Sequence, residues 1–213
     1  TKYGRPYNYG LEVGSKPELI AAVAHLNDPD AYLVCNGYKD TEFIDLALRA
    51  QKVGVKVILV IEMPSEVDTI LERSALLELE PMLGIRVRLA TKGSGHWSDS
   101  AGEKSVFGLH INQLMNVVDH LRENDKLHCL RMLHFHQGSQ IPNIRAIREA
   151  TMEATRIYAD LVKEGAPMGL IDLGGGLAVD YEGNQSSAGS GANYGIEEYC
   201  ADMINVIKIF FPL

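Results

Sequence analysis

Two segments of this chain end in residues that could do chemistry. Leu127-His-Cys-Leu-Arg-Met-Leu-His-Phe-His-Gln-Gly-Ser-Gln140 is an apolar run that stops at Gly138 and Ser139, and Ile171-Asp-Leu-Gly-Gly-Gly-Leu-Ala-Val-Asp-Tyr181 stops at Gly174, Gly175 and Gly176. Backbone N–H groups uncovered by side chains bind negative charge well, so a phosphate-bearing ligand is the first expectation. The competing reading of the glycines is a tight packing turn. They are not a dinucleotide fingerprint, because G-x-G-x-x-G would need glycine at Val179. Gly102-Glu-Lys-Ser105 is likewise not a P-loop, since Glu103 separates Gly102 from Lys104. His134 and His136 lie two apart in a strand and share a face. They could be a metal pair, one could face an aromatic ring, or both could be ordinary histidines near a strand end. A metal-dependent hydrolase would need histidines at other strand tips, whereas His25, His110 and His120 fall in or beside helices. Arg86 and Arg88 also share a face, and a buried arginine needs an anionic partner. That partner is either a ligand or a carboxylate such as Glu12 or Glu62. Asp172 and Asp180 flank the glycines, with Asp180 better placed for a polar substrate group or a solvated turn.

The elements that must position these groups follow from periodicity. Strands are expected at Tyr9 to Val13, Ala31 to Asn36, Val55 to Ile61, Ile85 to Leu89, the run ending at His136, and Met168 to Leu173. Helices are expected between them: from a Ser15/Glu18 capping box to His25, from Thr41 to Gly54, from Ser65, from Ile111 to Glu123, from Asn143 to Gly165, and from Gly195 to Phe210. A polar connection from Thr91 to Lys104 carries the single Trp97, and Glu182 to Asn193 is a Ser/Gly loop. Strict alternation implies parallel pairing with right-handed crossovers. Either a doubly wound sheet or part of an eight-stranded TIM-type (β/α)8 barrel satisfies that pattern. A complete barrel takes ~250 residues. The apolar end Ile207-Lys-Ile-Phe-Phe-Pro-Leu213 and the start at Thr1 lead to the expectation that residues 1–213 are a partial barrel domain of about six βα units, a fragment.

Composition narrows the function classes. The net charge of −8 argues against a nucleic-acid or anionic-membrane partner, which would need a basic face. No apolar run approaches the length of a membrane span. Cys35, Cys129 and Cys200 are widely spaced in apolar segments, which suggests reduced, buried thiols in a cytoplasmic protein.

The order of the motifs carries a resemblance. Leu11-Glu-Val-Gly-Ser-Lys-Pro-Glu-Leu19, Val34-Cys-Asn-Gly-Tyr-Lys-Asp40, Arg86-Val-Arg-Leu-Ala90, Gly102-Glu-Lys-Ser-Val-Phe-Gly108, His134-Phe-His-Gln-Gly-Ser-Gln140 and Gly174-Gly-Gly-Leu-Ala-Val-Asp-Tyr-Glu-Gly183 succeed one another at the spacings of biosynthetic arginine decarboxylases. The chain thus resembles the pyridoxal-phosphate-dependent, alanine-racemase-like barrel decarboxylases. The resemblance implies that His136 stacks on the pyridine ring. Ser139 and the turn Gly174, Gly175, Gly176 would hold the phosphate, Arg88 would lie beneath the cofactor, and Glu12 near its reacting edge. Ile171, Asp172, Leu173, Leu177, Ala178, Val179, Asp180 and Tyr181 match the family's substrate-binding segment. Gln137 and Ala178 depart from the family's usual aliphatic residue and glycine.

Further expectations follow from the same resemblance. The reaction would convert L-arginine to agmatine and CO2 for polyamine biosynthesis, in the cytoplasm, by a homo-oligomer (dimer or tetramer), with magnesium as an added cofactor. The Schiff-base lysine, the first barrel strand or strands and the C-terminal β domain of the family have no counterpart in these residues. Lys2, Lys16 and Lys39 stand in the wrong context, so the 213 residues alone are expected to be inactive. The alternatives are a non-catalytic cofactor-binding homologue, an ornithine- or diaminopimelate-type decarboxylase, and a metal hydrolase.

Overall fold

A computed structural model describes residues 4–91, 107–181, 183 and 191–211. Six parallel strands form one sheet in sequential order: β1 (Leu11–Val13), β2 (Tyr32–Cys35), β3 (Lys56–Ile61), β4 (Met82–Arg86), β5 (Leu130–His134) and β6 (Leu170–Asp172). They alternate with α1 (Lys16–His25), α2 (Thr41–Lys52), α3 (Glu66–Leu76), α4 (Ile111–Glu123), α5 (Ile144–Lys163) and α6 (Ile196–Phe210). A doubly wound sheet reverses its strand order at a switch point, and this one does not.

The packing separates the two architectures a second way. Side chains of odd strand parity, among them Leu33, Cys35, Leu59, Ile61, Leu83, Ile85 and Leu133, merge with helix residues such as Phe43, Ile44, Leu48, Ile70, Leu114 and Val118 into the large core. Among the described residues, the apolar cluster on the opposite face holds only strand side chains, Ile58, Val60 and Met132 with Tyr32, Val34, Met82 and Leu170. Helices therefore cover one face alone, and the other face closes on itself, as in a barrel. The curl is measurable. Glu12 of β1 and His134 of β5 approach to 3.6 Å, whereas four flat inter-strand spacings would span roughly 19 Å. The partial TIM-type barrel read from the sequence is the fold observed. Burying each large aliphatic side chain of the helix-side core contributes about 1.5–3 kcal/mol.

Several local expectations shift. β4 begins at Met82 rather than Ile85, with Gly84 inside the strand. A Cβ there would lie 3.1–3.3 Å from Met132, Val60 and Ile58, so the filled interior, rather than a turn, explains the glycine. Asp40, not Thr41, caps α2 by accepting from Phe43 N at 2.8 Å. The Ser15 side chain makes no cap bond, and Glu18 reaches past it to Gly14 N at 2.8 Å. Cys35 and Cys129 are buried, but Cys200 is exposed, because α6 packs only one stripe on the rest. Burial pushes the Cys35 thiol up to about 12. Trp97 and most of the 91–104 connection lie outside the described residues, as does most of the 182–193 loop. Among the described residues no helix is long and apolar enough to cross a membrane.

Candidate functional site

Just past the apolar floor, the interior face turns polar. Strand alternation aims Glu12, Asn36, Glu62, Arg86, His134 and Asp172 to the same side, and register lines up Arg86, His134 and Asp172 across β4, β5 and β6. In parallel α/β folds ligands bind at this end of the strands. The residues interlock. Asn36 Nδ2 donates to Glu12 Oε1 at 2.6 Å and lies 3.1 Å from His134 Nε2. Glu62 Oε1 accepts from Gly37 N and from Arg86 Nη1, both at 2.7 Å. The carboxylate partner foreseen for Arg86 is thus Glu62, and the guanidinium also stands 5.3 Å over the Phe107 ring. Two buried atoms have no partner among the described residues, Glu62 Oε2 and His134 Nδ1. A buried polar atom without a partner costs stability, about 1–3 kcal/mol, and such atoms gather where a ligand or further chain completes a site.

Burial sets the protonation states. His134 is 1% exposed, and desolvation, with Arg86, His136 and Lys39 adding like charge, pushes its imidazole down to about 3. His136 is lowered by the same desolvation and by Arg86, against an opposing pull from Glu12. Asp172 goes the other way: desolvation lifts its carboxyl to about 6 despite a stabilising bond from Gly174 N.

The glycines behave differently from one another. Gly174 N donates to Asp172 Oδ1 at 2.8 Å, and Gly175 N to His136 Nδ1 at 3.2 Å. Gly174 (φ 64°) and Gly176 (φ 99°) hold left-handed backbone that favours glycine. A Cβ on Gly174 would fall 2.4 Å from Phe135 O, and one on Gly176 2.0 Å from Gly138 O. The turn and the Gly138-Ser139 tip are therefore in backbone contact, and Ile141 N closes the pair by donating to Gly176 O at 2.9 Å. Packing accounts for these glycines, and it brings the two strand tips together.

Glu12 and Asp172 converge on His134, with ligand atoms of all three within 4.8 Å of one another. His136 stands outside that group among the described residues. Ser139 is exposed at its strand tip. Arg88 does not join the polar layer: its Nε donates to Phe107 O and Gly108 O (3.1 and 2.7 Å), its Nη1 lies 3.0 Å from His110 Nε2, and it lines an open groove with Glu153 and Arg156. The segment Ile171 to Tyr181 divides. Ile171 pairs with Leu133 on the helix side, where Leu173 also packs, while Asp172 faces the interior. Leu177 bridges to Ile141, Ala178 N donates to Tyr194 Oη at 3.0 Å, and Val179 exchanges two bonds with the Gln140 amide (2.7 and 3.0 Å). Asp180 accepts from Gly183 N, and Tyr181 is exposed. Gln137 is buried and donates to Ala146 O at 2.6 Å, so its departure from an aliphatic residue serves the α5 junction. Lys16 pairs with Asp40 and Glu42, and Lys39 with Glu66 and the Gly37 carbonyl.

Sequence reasoning missed Asn36 and Tyr194. Asn36 was signalled by a polar residue ending an apolar strand at interior parity. Tyr194, whose hydroxyl donates to Ile141 O at 2.8 Å while accepting from Ala178 N, had no signal.

Residues 5–213 match the family described as pyridoxal-dependent decarboxylase, pyridoxal binding domain. Among similar proteins, the biosynthetic arginine decarboxylase of Alkalilimnicola ehrlichii is 52% identical over 198 residues, 93% of this chain and 31% of that protein. That of Prochlorococcus marinus (strain MIT 9313) is 46% identical over 205 residues, 96% of this chain and 32% of that protein. The crystal structure of the Campylobacter jejuni biosynthetic arginine decarboxylase superposes with a TM-score of 0.83 at 38% identity, covering 98% of this chain and 33% of that one. Diaminopimelate decarboxylase from Helicobacter pylori shares the fold, at 21% identity and a TM-score of 0.79 over 97% of this chain and 50% of its own. The chain spans about a third of the length of the arginine decarboxylases it matches. It belongs to the pyridoxal-dependent decarboxylases, as a pyridoxal-binding barrel segment.

Proposed function

We propose that this chain is the cofactor-binding part of an enzyme that decarboxylates L-arginine to agmatine and CO2, supplying polyamine biosynthesis in the cytoplasm. The observation that carries the cofactor reading is the joined pair of strand tips. The Gly174–Gly176 turn and the Gly138-Ser139 tip meet in backbone contact that no side chain would tolerate, beside His136 and above a polar layer. That cradle fits a phosphate-tailed ring. The arginine specificity rests on the identity to the arginine decarboxylases, not on the geometry.

When bound, pyridoxal phosphate supplies an electron sink for the pair left behind by departing CO2. The chain's own residues bind and orient. The Ser139 hydroxyl at one tip and the Gly176 amide at the other would hold the phosphate, since the Gly174 and Gly175 amides already donate to Asp172 and His136. His136 accepts from Gly175 N at Nδ1, so its proton sits on Nε2 and the ring is neutral, suited to stacking. Glu12 presents a carboxylate from β1, the strand at the sheet's open edge. Arg86, paired with Glu62 at 2.7 Å, stands beside His134 on the interior face. Assembly as a dimer or tetramer and a magnesium requirement belong to the same proposal through the family alone.

The test uses full-length protein containing this chain, loaded with pyridoxal phosphate. CO2 and agmatine should form from L-arginine in preference to L-ornithine and diaminopimelate, and His136→Ala should impair turnover more than His134→Ala. Cofactor binding without release of CO2 would favour a non-catalytic homologue, and equal losses from the two histidines with bound zinc would favour a metal site.

A further inference from the structure

Glu12 and His134 meet across the curled interior from β1 and β5, 3.6 Å apart. A carboxylate and an imidazole need close in only slightly from that separation to share a proton. Here a third group stands between them. Asn36 follows β2, its backbone N fixed by Val13 O at 2.8 Å, and the residue is 8% exposed. The amide orientation is decided by its surroundings: Oδ1 accepts from Gly37 N at 3.0 Å, which leaves Nδ2 for Glu12 Oε1 at 2.6 Å and His134 Nε2 at 3.1 Å. The reverse orientation would set a carbonyl oxygen against a carboxylate and aim an NH2 group at an N–H.

We propose that Asn36 is a positioning residue for the reaction, a neutral double donor that holds the Glu12 carboxylate in place and keeps His134 from giving it a proton. The proposal rests on the pyridoxal-phosphate reading, in which Glu12 stands near the cofactor. Its logic is donor counting. Both Nδ2 hydrogens are directed to acceptors, so His134 Nε2 must accept and the ring proton resides on Nδ1, the atom left without a partner. Held as a neutral acceptor at Nε2, His134 has no proton to offer Glu12. The other charged and titratable groups around His134 are Lys39 after β2, Arg86 on β4, His136 beyond its own strand, and Asp172 Oδ2 at 4.0 Å on β6. Arg86 and Lys39 oppose a positive ring, and among the described residues Glu12 and Asp172 favour one. Replacing the amide by a third carboxylate would tip that balance toward imidazolium.

The test is a double-mutant cycle in the full-length, cofactor-loaded enzyme, with cofactor titration as a separate reading. Asn36→Ala should lower kcat by roughly tenfold to a hundredfold, the worth of a hydrogen bond to a charged group, with cofactor affinity and KM little changed. In a Glu12→Gln background the same substitution should cost nothing further, because the group it positions is gone. Asn36→Asp should add an ionisation to the kcat profile. In the histidine-labelled apoprotein it should also convert the His134 nitrogen resonances, assigned by their loss in His134→Gln, from neutral to imidazolium form. If the alanine variant does not fold, Asn36→Ser enters the same cycle. A full, multiplicative loss in the Glu12→Gln background, or an unchanged kcat in Asn36→Ala, overturns the proposal. Wild-type protein that binds no pyridoxal phosphate would instead sink the reading beneath it, and the titration tells the two failures apart.

Discussion

The two faces of the sheet have the same backbone and opposite chemistry. On the helix side, residues such as Leu33, Leu48, Ile61 and Leu133 are fully buried in one continuous apolar core. On the interior side, a thin floor of Ile58, Val60 and Met132 gives way at once to Glu12, Asn36, Glu62, Arg86, His134 and Asp172, with two buried atoms unpartnered among the described residues. Alternation along each strand is what separates them, and a one-residue slip in register would exchange the two sets. Apolar burial is concentrated on one face and the proposed chemistry on the other, so substitutions on the two faces should have separable effects.

The largest separable effect is expected from Leu48→Ala in α2, where the side chain has 0% exposure. Chemical denaturation of the full-length protein should show a loss of about 2–5 kcal/mol, while the folded fraction binds pyridoxal phosphate as before. A parallel loss of cofactor affinity would mean that the faces are coupled.

A smaller effect, on pH dependence, probes the interior face alone. His134 titrates at about 3 in the folded protein against an ordinary 6.5, so its contribution to stability is present above 6.5 and lost as pH falls toward 3. Asp172, raised from 3.8 to about 6, works in the opposite sense: its contribution is present below 3.8 and lost as pH rises through about 6. Melting temperatures between pH 4 and 7, a range set by those two shifts, should therefore fall less steeply on acidification in His134→Gln and more steeply in Asp172→Asn. Equal slopes would show that neither group is buried as described.

Much of this was legible in the sequence. Continuous apolar runs such as Val57 to Ile61 announce strands buried on both faces, and strict alternation with helices announces parallel strands, in a doubly wound sheet or a barrel. The strand-tip glycines and the pair His134 and His136 marked the site because chain-local spacing suffices to find them. The Asn36–Glu12–His134 contact was not legible, since it depends on how far the sheet curls, a property spread over five strands. Tyr194 escaped for the same reason: its clamp on Ile141 and Ala178 joins segments distant in sequence. The start of β4 was misplaced because Gly84 reads as a turn until Met132 and Val60 are seen filling the space above it.

The account turns on a phosphate held where two strand tips touch, and binding titrations of two neighbouring glycine variants test this most directly. In the full-length protein, Gly176→Ala would place a methyl group 2.0 Å from Gly138 O in left-handed backbone, whereas at Gly175 the nearest atom, His136 Cε1, is 3.8 Å away. Pyridoxal phosphate affinity should fall by about a hundredfold or more in Gly176→Ala, the cost of a strained backbone of 1–3 kcal/mol plus the displaced amide. Gly175→Ala should change it only slightly, and circular dichroism should show both variants folded. Wild-type affinity in a folded Gly176→Ala protein would contradict the account.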